Sequence, residues 1–462
     1  MVLDTQRFFD GIRDSGKRVA FIGVGVSNND CIKLFARHGI SVEVRDKRED
    51  IGEIAEEFRA LGVKLILGEG YLGALDADII VRSPGVFYGT PELVRARKRG
   101  QAVTSEMELF FDLCPCRTIA VTGSDGKTTT TTIISEMLKK AGKTVWLGGN
   151  IGKALLPEIE RIAPDDWAVV ELSSFQLESM RRSPDIAAVK NVEPNHLDVH
   201  GTMENYIDAK LNIISHQNAF SRTVLNADNA VTCGMAKLVR GDLRWFSTEG
   251  RIVRGAYLDE DGWLCACDGE NTTRIFHRDE IKIPGLHNVD NYLTAIAVLD
   301  GIVPPETMPE VAREFAGVEH RIEFVRELDG VRYINDSKGT NVDSTIKAVQ
   351  SMKLPTAIIL GGYDKHVSFD ALAQEIKATP LIRHCVLIGA TAAQIEDALR
   401  RAGVESIAHA QTLAQAVAAC RKLMQQGEEA NVLFSPACAS FDMFDDYEQR
   451  GRVFKQIVRE LT

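Results

Sequence analysis

The sequence has no apolar run approaching the ~20 residues that cross a bilayer, so no membrane-spanning helix and no membrane partner are expected. A positive surplus is missing as well: 54 Lys and Arg stand against 65 Asp and Glu, for a net charge of -11. That field repels a phosphate polyanion at long range and argues against nucleic acid as a partner. Any anionic ligand must then be held locally, by clustered Lys, Arg and backbone N–H groups. There is no disulfide framework either, because nine cysteines, an odd number, are scattered through the chain. Cys114-Pro-Cys116 and Cys265-Ala-Cys267 are CxC pairs without a matching second half for a zinc site, and they read as reduced thiols. The start, MVLDTQRFFDG, lacks the basic residues and apolar run of a signal peptide, so a cytoplasmic location is expected.

What is present is a long chain of globular composition. Its 462 residues exceed one ordinary core and suggest about three domains, and 45% hydrophobic with 26% charged residues suits a folded globular protein. Strand-like β-branched runs alternate with helical patterns, which points to parallel α/β architecture. Arg18 to Ile22, Ser41 to Val44 and Ala77 to Val81 read as strands of a first unit. A second unit opens at Thr118 to Thr122 after the Cys-Pro-Cys linker and continues with Trp167 to Leu172 and Ile186 to Asn191. From about Arg244 to Ile283 the pattern alternates and turns at Asp261-Gly262, as in an antiparallel meander added beside a parallel sheet. A third unit follows Gly317, with strands near Val331 to Ile334, Ala357 to Leu360, Cys385 to Ile388 and Val432 to Phe434.

The strand Thr118 to Thr122 runs directly into Gly123-Ser124-Asp125-Gly126-Lys127-Thr128-Thr129, and a helical stretch follows to Lys140. Strand, glycine loop, Lys-Thr and helix is the layout of a phosphate-binding P-loop. Glycines let backbone N–H groups close on phosphate oxygens, the helix start favours negative charge, and Lys127 can reach the terminal phosphates. Thr128 offers a hydroxyl to Mg2+. The loop is shorter than GxxxxGK[ST], since Val121 stands where the first glycine should be. The plainer alternative is a helix start that happens to carry Gly-Lys-Thr.

Glu171 ends the apolar run Trp167 to Leu172, where a carboxylate is costly unless it is paired or metal-bound. His196 lies on a loop after the Ile186 strand, at the same carboxyl edge. Tyr206 to Ser215 reads as a helix with Ile207, Leu211 and Ile214 on one stripe, and Lys210 falls on that stripe. A buried ammonium needs a partner, a depressed pKa or a modification, unless its stem snorkels to water. In the first unit Gly23-Val-Gly25 with Asp46 resembles a dinucleotide fingerprint, but Asn28 replaces the third glycine. In the third unit Asp336, Lys338, Lys365 and Ser440 follow strand carboxyl ends, where open α/β sheets bind ligands. Lys365, after Gly361-Gly362, suits a substrate carboxylate or, alternatively, is a solvated loop lysine.

Seven motifs taken in order resemble the Mur ligases: GSDGKTT from Gly123, ELSSFQLE from Glu171, NVEPNHLD from Asn191, GLHNVDN from Gly285, HRIE from His320, NDSKGTN from Asn335, and the run Ser435 to Gly451. The likeness covers essentially the whole chain. The resemblance implies three α/β domains: a Rossmann-like domain for a UDP-linked substrate (1–113), a central P-loop domain with the added meander (114–318), and a Rossmann-like domain for the incoming amino acid (319–462). It implies an ATP-dependent ligase that converts a carboxylate to an acyl phosphate, with UDP-N-acetylmuramoyl-L-alanine and ATP as substrates, two Mg2+ ions and a monomeric chain. NDSKGTN and the last run are most similar to the members that take D-glutamate.

Residue by residue, the resemblance puts Lys127 and Thr128 on phosphate and Mg2+, Glu171 on a first metal, and His196 with a side-chain-carboxylated Lys210 on a second. Asn195 departs from an acid that often stands there. Asn288 and Asn291 match adenine-side positions. His320 and Arg321 match a hinge pair at ATP, and Asp336 and Lys338 the nucleotide-facing edge. Val26 and Ser27 match the UDP diphosphate site, Asp46 and Lys47 the uracil, and Ser83, Asn150 and His196 further contacts to the same substrate. Thr340, Lys365, Ser440, Phe441 and Tyr447 resemble the D-glutamate pocket, Tyr447 in a place often held by Phe. Two alternatives stay open: a related ligase of other specificity (another Mur ligase or a folylpolyglutamate synthase-like enzyme), and a nucleotide-switched binding protein without ligase chemistry.

Overall fold

A computed structural model describes residues 4–25, 27–283, 285–364, 367–424 and 429–462, without the side chains of residues 198 and 343. The chain divides into two compact units, 1–315 and 316–462. Among the described residues the first unit carries two sheets and the second carries one.

The first sheet has the order β3-β2-β1-β4-β5, with β1 Arg18–Ile22, β2 Ser41–Asp46, β3 Lys64–Leu67, β4 Ile79–Arg82 and β5 Ala102–Ser105. All its pairings are parallel, and the order reverses between β1 and β4, which opens a crevice at their carboxyl ends. Phe9 and Phe21 close edge-on against Phe35, at 5.2 and 5.3 Å between ring centres, and fill the core beneath it.

The second sheet has the order β14-β13-β12-β11-β10-β9-β6-β8-β7. Its strands are β6 Arg117–Thr122, β7 Val145–Gly149, β8 Trp167–Glu171, β9 Ile186–Val189, β10 Arg222–Asn226, β11 Asp242–Ser247, β12 Gly255–Leu258, β13 Trp263–Cys267 and β14 Thr272–His277. β8 and β9 are buried along their whole length, as befits parallel strands covered on both faces. The expected meander is shorter than its sequence pattern. β11, which contains Arg244, pairs in parallel with β10 and β12, and only β12-β13-β14 is antiparallel. Alternation reports one exposed face and not strand direction, so the parallel start was misread. Helix Glu106–Leu113 and the turn Leu156–Arg161 bury Phe110, Leu156 and Ile159 in one core that joins the two sheets.

The third sheet has the order β15-β16-β20-β17-β18-β19. It comprises β15 Glu323–Leu328, β16 Val331–Asn335, β17 Thr356–Leu360, β18 Ile382–Leu387, β19 Ile407–His409 and β20 Ala430–Phe434, parallel except for the edge strand β15. Because β20 lies between β16 and β17, the loops after these three strands meet at one carboxyl edge.

Candidate functional site

β6 passes through Gly123 to Gly126 into helix Lys127–Lys140. Gly126 has φ 76°, and a Cβ there would lie 2.6 Å from Asn291 Oδ1 and 3.0 Å from Lys190 Cε, so both conformation and space demand glycine. The N–H groups of Ser124 and Asp125 donate to Asn191 Oδ1 at 3.0 and 2.9 Å, pinning the loop to the end of β9. Lys127 Nζ donates to the Gly123 and Ser124 carbonyls at 2.9 Å each and lies over the loop. The N-cap residue, Gly126, has no side chain with which to cap the helix start. The first-turn N–H groups of such a helix have no intrahelical acceptor, and with the dipole they form a seat for an anion. Thr128 is buried and Thr129 half-buried on that turn. Thr130 Oγ1 donates to Asn291 Oδ1 at 2.9 Å, and Asn291 Nδ2 to Asn288 Oδ1 at 3.0 Å, which brings both predicted asparagines against the loop helix.

Glu171 is buried at the carboxyl end of β8, two strands from β9 across β6. Its Oε1 accepts from Asn150 Nδ2 at 2.8 Å, while Oε2 is buried with no hydrogen-bond partner among the described residues. An orphaned carboxylate oxygen is expensive, and a cation is the group that would satisfy it. Mg2+ fits this edge, where Glu171 and the Thr128 hydroxyl are the oxygen donors that would hold it. Among the described residues no three His, Cys, Asp or Glu side chains converge as a ready-made metal cluster.

Lys210 is 1% exposed on helix Met203–Ser215. The buried stripe of that helix is Tyr206, Ala209, Lys210, Ile213 and Ile214, while Ile207 and Leu211 are half-buried at its margin. Snorkelling is therefore overturned for Lys210. Its Nζ donates to the Gly123 carbonyl at 2.9 Å and reaches the Thr122 hydroxyl at 3.4 Å, 4.7 Å from the centre of the Tyr206 ring. Burial, reinforced by nearby Lys127, pushes its pKa well below the ordinary lysine value. His196 is exposed, at φ 54°, at the start of the short helix Leu197–His200. Its ring lies 5.1 Å from Phe175, which stacks on buried His200, which in turn leans on Tyr206. One aromatic chain thus links the His196 loop to the lysine.

In the first sheet Gly23 abuts Ser83, since a Cβ on the glycine would lie 2.5 Å from Ser83 Oγ. Asn28, in the third-glycine position, donates to the Gly23 carbonyl at 2.9 Å and ties down the turn. Ser27 is half-buried and Lys47 exposed. Asp46 accepts from the Val24 N–H at 2.7 Å and from Arg48. Burial works to raise its pKa, but Arg48 and the backbone donors hold it below the usual range. Val26 and Lys365 lie outside the described residues.

In the second unit Asp336 is buried at the end of β16 and accepts from Ser435 Oγ at 2.6 Å, its pKa pushed up to about 6 by burial. His320 is buried too, its Nδ1 2.9 Å from Asn335 Nδ2, while Arg321 is exposed. Lys338 Nζ lies 6.0 Å from the centre of the half-buried Tyr447 ring. Thr340 is half-buried and Ser440 buried, and Phe441 is exposed edge-on to Tyr363.

Three buried cations beside these residues escaped the sequence reading. Arg82, before Ser83, bridges to the Phe175 carbonyl and Ser179 hydroxyl at 2.8 and 2.9 Å and joins the two sheets of the first unit. Arg450 binds Ser337 Oγ and the carbonyls of Ser337, Cys438 and Ala439 at 2.8–3.1 Å. Lys190 runs beneath the phosphate loop. For Arg82 and Lys190 the available signal was a charged residue closing an apolar run, IIVR and AAVK, whereas Arg450 stands in a polar stretch and carries none.

A phosphate loop at a helix start, an unpartnered buried carboxylate oxygen on the neighbouring strand, and two further α/β sheets in the chain define a three-domain nucleotide-binding protein of phosphate-loop type. Three family models match: "Mur ligase MurD-like, N-terminal domain" over 17–105, "Mur ligase middle domain" over 121–299 and "Mur ligase, glutamate ligase domain" over 320–438. The chain belongs to the Mur ligase family. It is similar to UDP-N-acetylmuramoylalanine–D-glutamate ligases of Clostridium kluyveri and Acetivibrio thermocellus, 44% and 45% identical over 96% of this chain and 97% of each relative. The fold resembles that of the MurC UDP-N-acetylmuramate-alanine ligase of Thermotoga maritima, with TM-score 0.57, 20% identity and 96% and 99% of the two chains covered. It also resembles that of MurF of Acinetobacter baumannii, with TM-score 0.58, 16% identity and 98% and 99% covered.

Proposed function

We propose that this protein joins D-glutamate to UDP-N-acetylmuramoyl-L-alanine at the cost of ATP, in peptidoglycan precursor synthesis. The observation that carries the ligase chemistry is the pairing of the phosphate loop with the unpartnered Glu171 oxygen. The choice of D-glutamate rests on the relatives' names. In this reading residues 1–113 hold the UDP substrate through Val26, Ser27, Asp46, Lys47 and Ser83, with Asn150 and His196 completing the site from the central domain. Residues 114–318 hold ATP on Gly123 to Thr129, with Asn288 and Asn291 toward the base. Residues 319–462 contribute His320, Arg321, Asp336 and Lys338 toward ATP and Thr340, Lys365, Ser440, Phe441 and Tyr447 toward D-glutamate. The protein works as a cytoplasmic monomer.

A substrate carboxylate oxygen attacks the γ-phosphorus and ADP leaves. The D-glutamate amine then attacks the acyl carbon, phosphate departs with the bonding pair, and the amine proton is lost. Lys127 and the loop N–H groups hold the terminal phosphate in line for attack and offset its charge. Mg2+ ions, two in this reading, supply charge neutralisation between carboxylate and polyphosphate when bound. Glu171 and Thr128 would hold one, and His196 with a carboxylated Lys210 would hold the other. The low pKa of Lys210 supports that modification, because the neutral amine is the form that adds CO2 and releases a proton.

The test is phosphate release with UDP-N-acetylmuramoyl-L-alanine, ATP and Mg2+, adding D-Glu, L-Glu, L-Ala or L-Lys in turn. Release is expected with D-Glu alone and is abolished in Lys127→Ala. Equal turnover with L-Lys, or none with any amino acid, sinks the proposal.

A further inference from the structure

Lys190 directly follows β9, between Val189 and Asn191, and it is 1% exposed. Its stem is the floor of the phosphate loop. A Cβ on Gly123 would lie 2.8 Å from Lys190 Cβ, and one on Gly126 3.0 Å from its Cε. The ammonium passes under the loop to helix Leu286–Leu299, where it pairs with Asp290 and donates to Thr294 Oγ1 at 3.0 Å. The Phe246 ring of β11 lies 5.0 Å away on another side. Asp290 sits between Asn288 and Asn291, and Asn291 already accepts from Thr130 of the loop helix. Three elements therefore meet at one ion pair, its lysine buried and its aspartate half-buried: the strand that pins the phosphate loop, the loop itself, and the helix that carries the two asparagines.

We propose that the Lys190–Asp290 pair is a positioning device that fixes the base-side helix against the phosphate loop, and so sets affinity and selectivity for the nucleoside triphosphate. Neither residue touches the reacting phosphorus in this role. A buried pair is weak evidence for stability, because well-packed apolar or neutral replacements often serve as well. Its directional bonds fix one register between two elements, which an apolar contact holds loosely. Phosphate contacts centre on the loop and are common to ATP and GTP. Base contacts depend on how Asn288 and Asn291 stand relative to that loop. Loosening the tie lowers ATP affinity while leaving GTP, which gains nothing from an adenine-side arrangement, nearly unchanged. The inference rests on nucleotide binding at this loop with the base toward Asn288 and Asn291.

The experiment uses the full chain with the paired substitution Lys190→Met and Asp290→Asn, which removes both charges and leaves neither unpaired. Expected are a Tm close to that of the parent, KM for ATP raised about tenfold, and kcat and KM for the UDP substrate within twofold. The ATP over GTP preference falls by the same factor as ATP affinity. If kcat and every KM move together, or if KM for ATP stays within twofold, the positioning role is wrong. Thr294→Val, which removes the second acceptor of Nζ together with the hydroxyl's bond to the Asp290 carbonyl and leaves both charges in place, covers the case in which the paired variant does not fold. A rise of about threefold in KM for ATP alone supports the proposal, and no change overturns it. Calorimetric titration of the parent protein with ATP separates the two levels: no binding there defeats the nucleotide reading itself, whereas binding with unaltered variants defeats only this inference.

Discussion

Glu106 is buried at the start of helix Glu106–Leu113, where the two sheets of the first unit share a core, and its Oε1 accepts from the Leu156 N–H at 3.2 Å. Burial pushes its pKa from 4.5 up to about 7, against the smaller opposing effect of the Leu156 and Leu155 N–H donors. The folded protein thus keeps a proton that the unfolded chain releases above pH 4.5. Stability falls as pH rises from about 4.5 to about 7 and is flat beyond, because both states are then ionised. A shift of about 2.5 units at ~1.4 kcal/mol each gives a loss of about 3 kcal/mol across that window. Glu106→Gln keeps an acceptor for Leu156 and abolishes the titration. The variant is expected to match the parent near pH 4.5 and to exceed it by about 3 kcal/mol at pH 8. All four tryptophans, Trp146, Trp167, Trp245 and Trp263, lie in the first unit, so tryptophan fluorescence in a urea titration reports that unit. Glu108, also pushed up to about 7, titrates in parent and variant alike and cancels in the difference. A difference that stays constant from pH 5 to 8 refutes the reasoning.

Other substitutions test the site. Glu171→Gln keeps the Asn150 bond but weakens the open oxygen, so the Mg2+ concentration for half-maximal turnover should rise and turnover fall about 100-fold, or ~3 kcal/mol; an unchanged Mg2+ requirement speaks against a metal there. Lys210→Met should leave stability equal or higher, by up to ~4 kcal/mol as a buried cation is removed, yet lose most turnover, with formate or acetate restoring part. Lys210→Arg should stay inactive, and an active Arg enzyme rules out the carboxylated lysine. Arg450→Met strips two bonds from the loop after β20 and two from Ser337 after β16, and should cost about 3 kcal/mol. Faster amide exchange across Ser435 to Gly451 reports it, and unchanged protection there removes Arg450 as the organiser of that loop.

Much of this protein was legible in its sequence because the relevant signals are local. β1 was bounded to the residue, and the strand, glycines and Lys-Thr of the phosphate loop are contiguous. The helical stripe placed Lys210 inward, where it lies 1% exposed. Short strands such as β3 and β19, of four and three residues, carry too little period to be read. β15, with alternation broken by a bulge, was missed for the same reason. The sequence by itself thus determined the parallel α/β class, the strand, glycine loop and helix from Thr118 to Lys140, and the family. Only the tertiary structure decided which polar groups are satisfied. Glu171 keeps one oxygen without a partner, Asn28 replaces a glycine by bonding the turn it closes, and Lys190 finds Asp290 100 residues away. Strand order sets such pairings, and strand order comes from packing whole faces against one another, so no window of the sequence contains it.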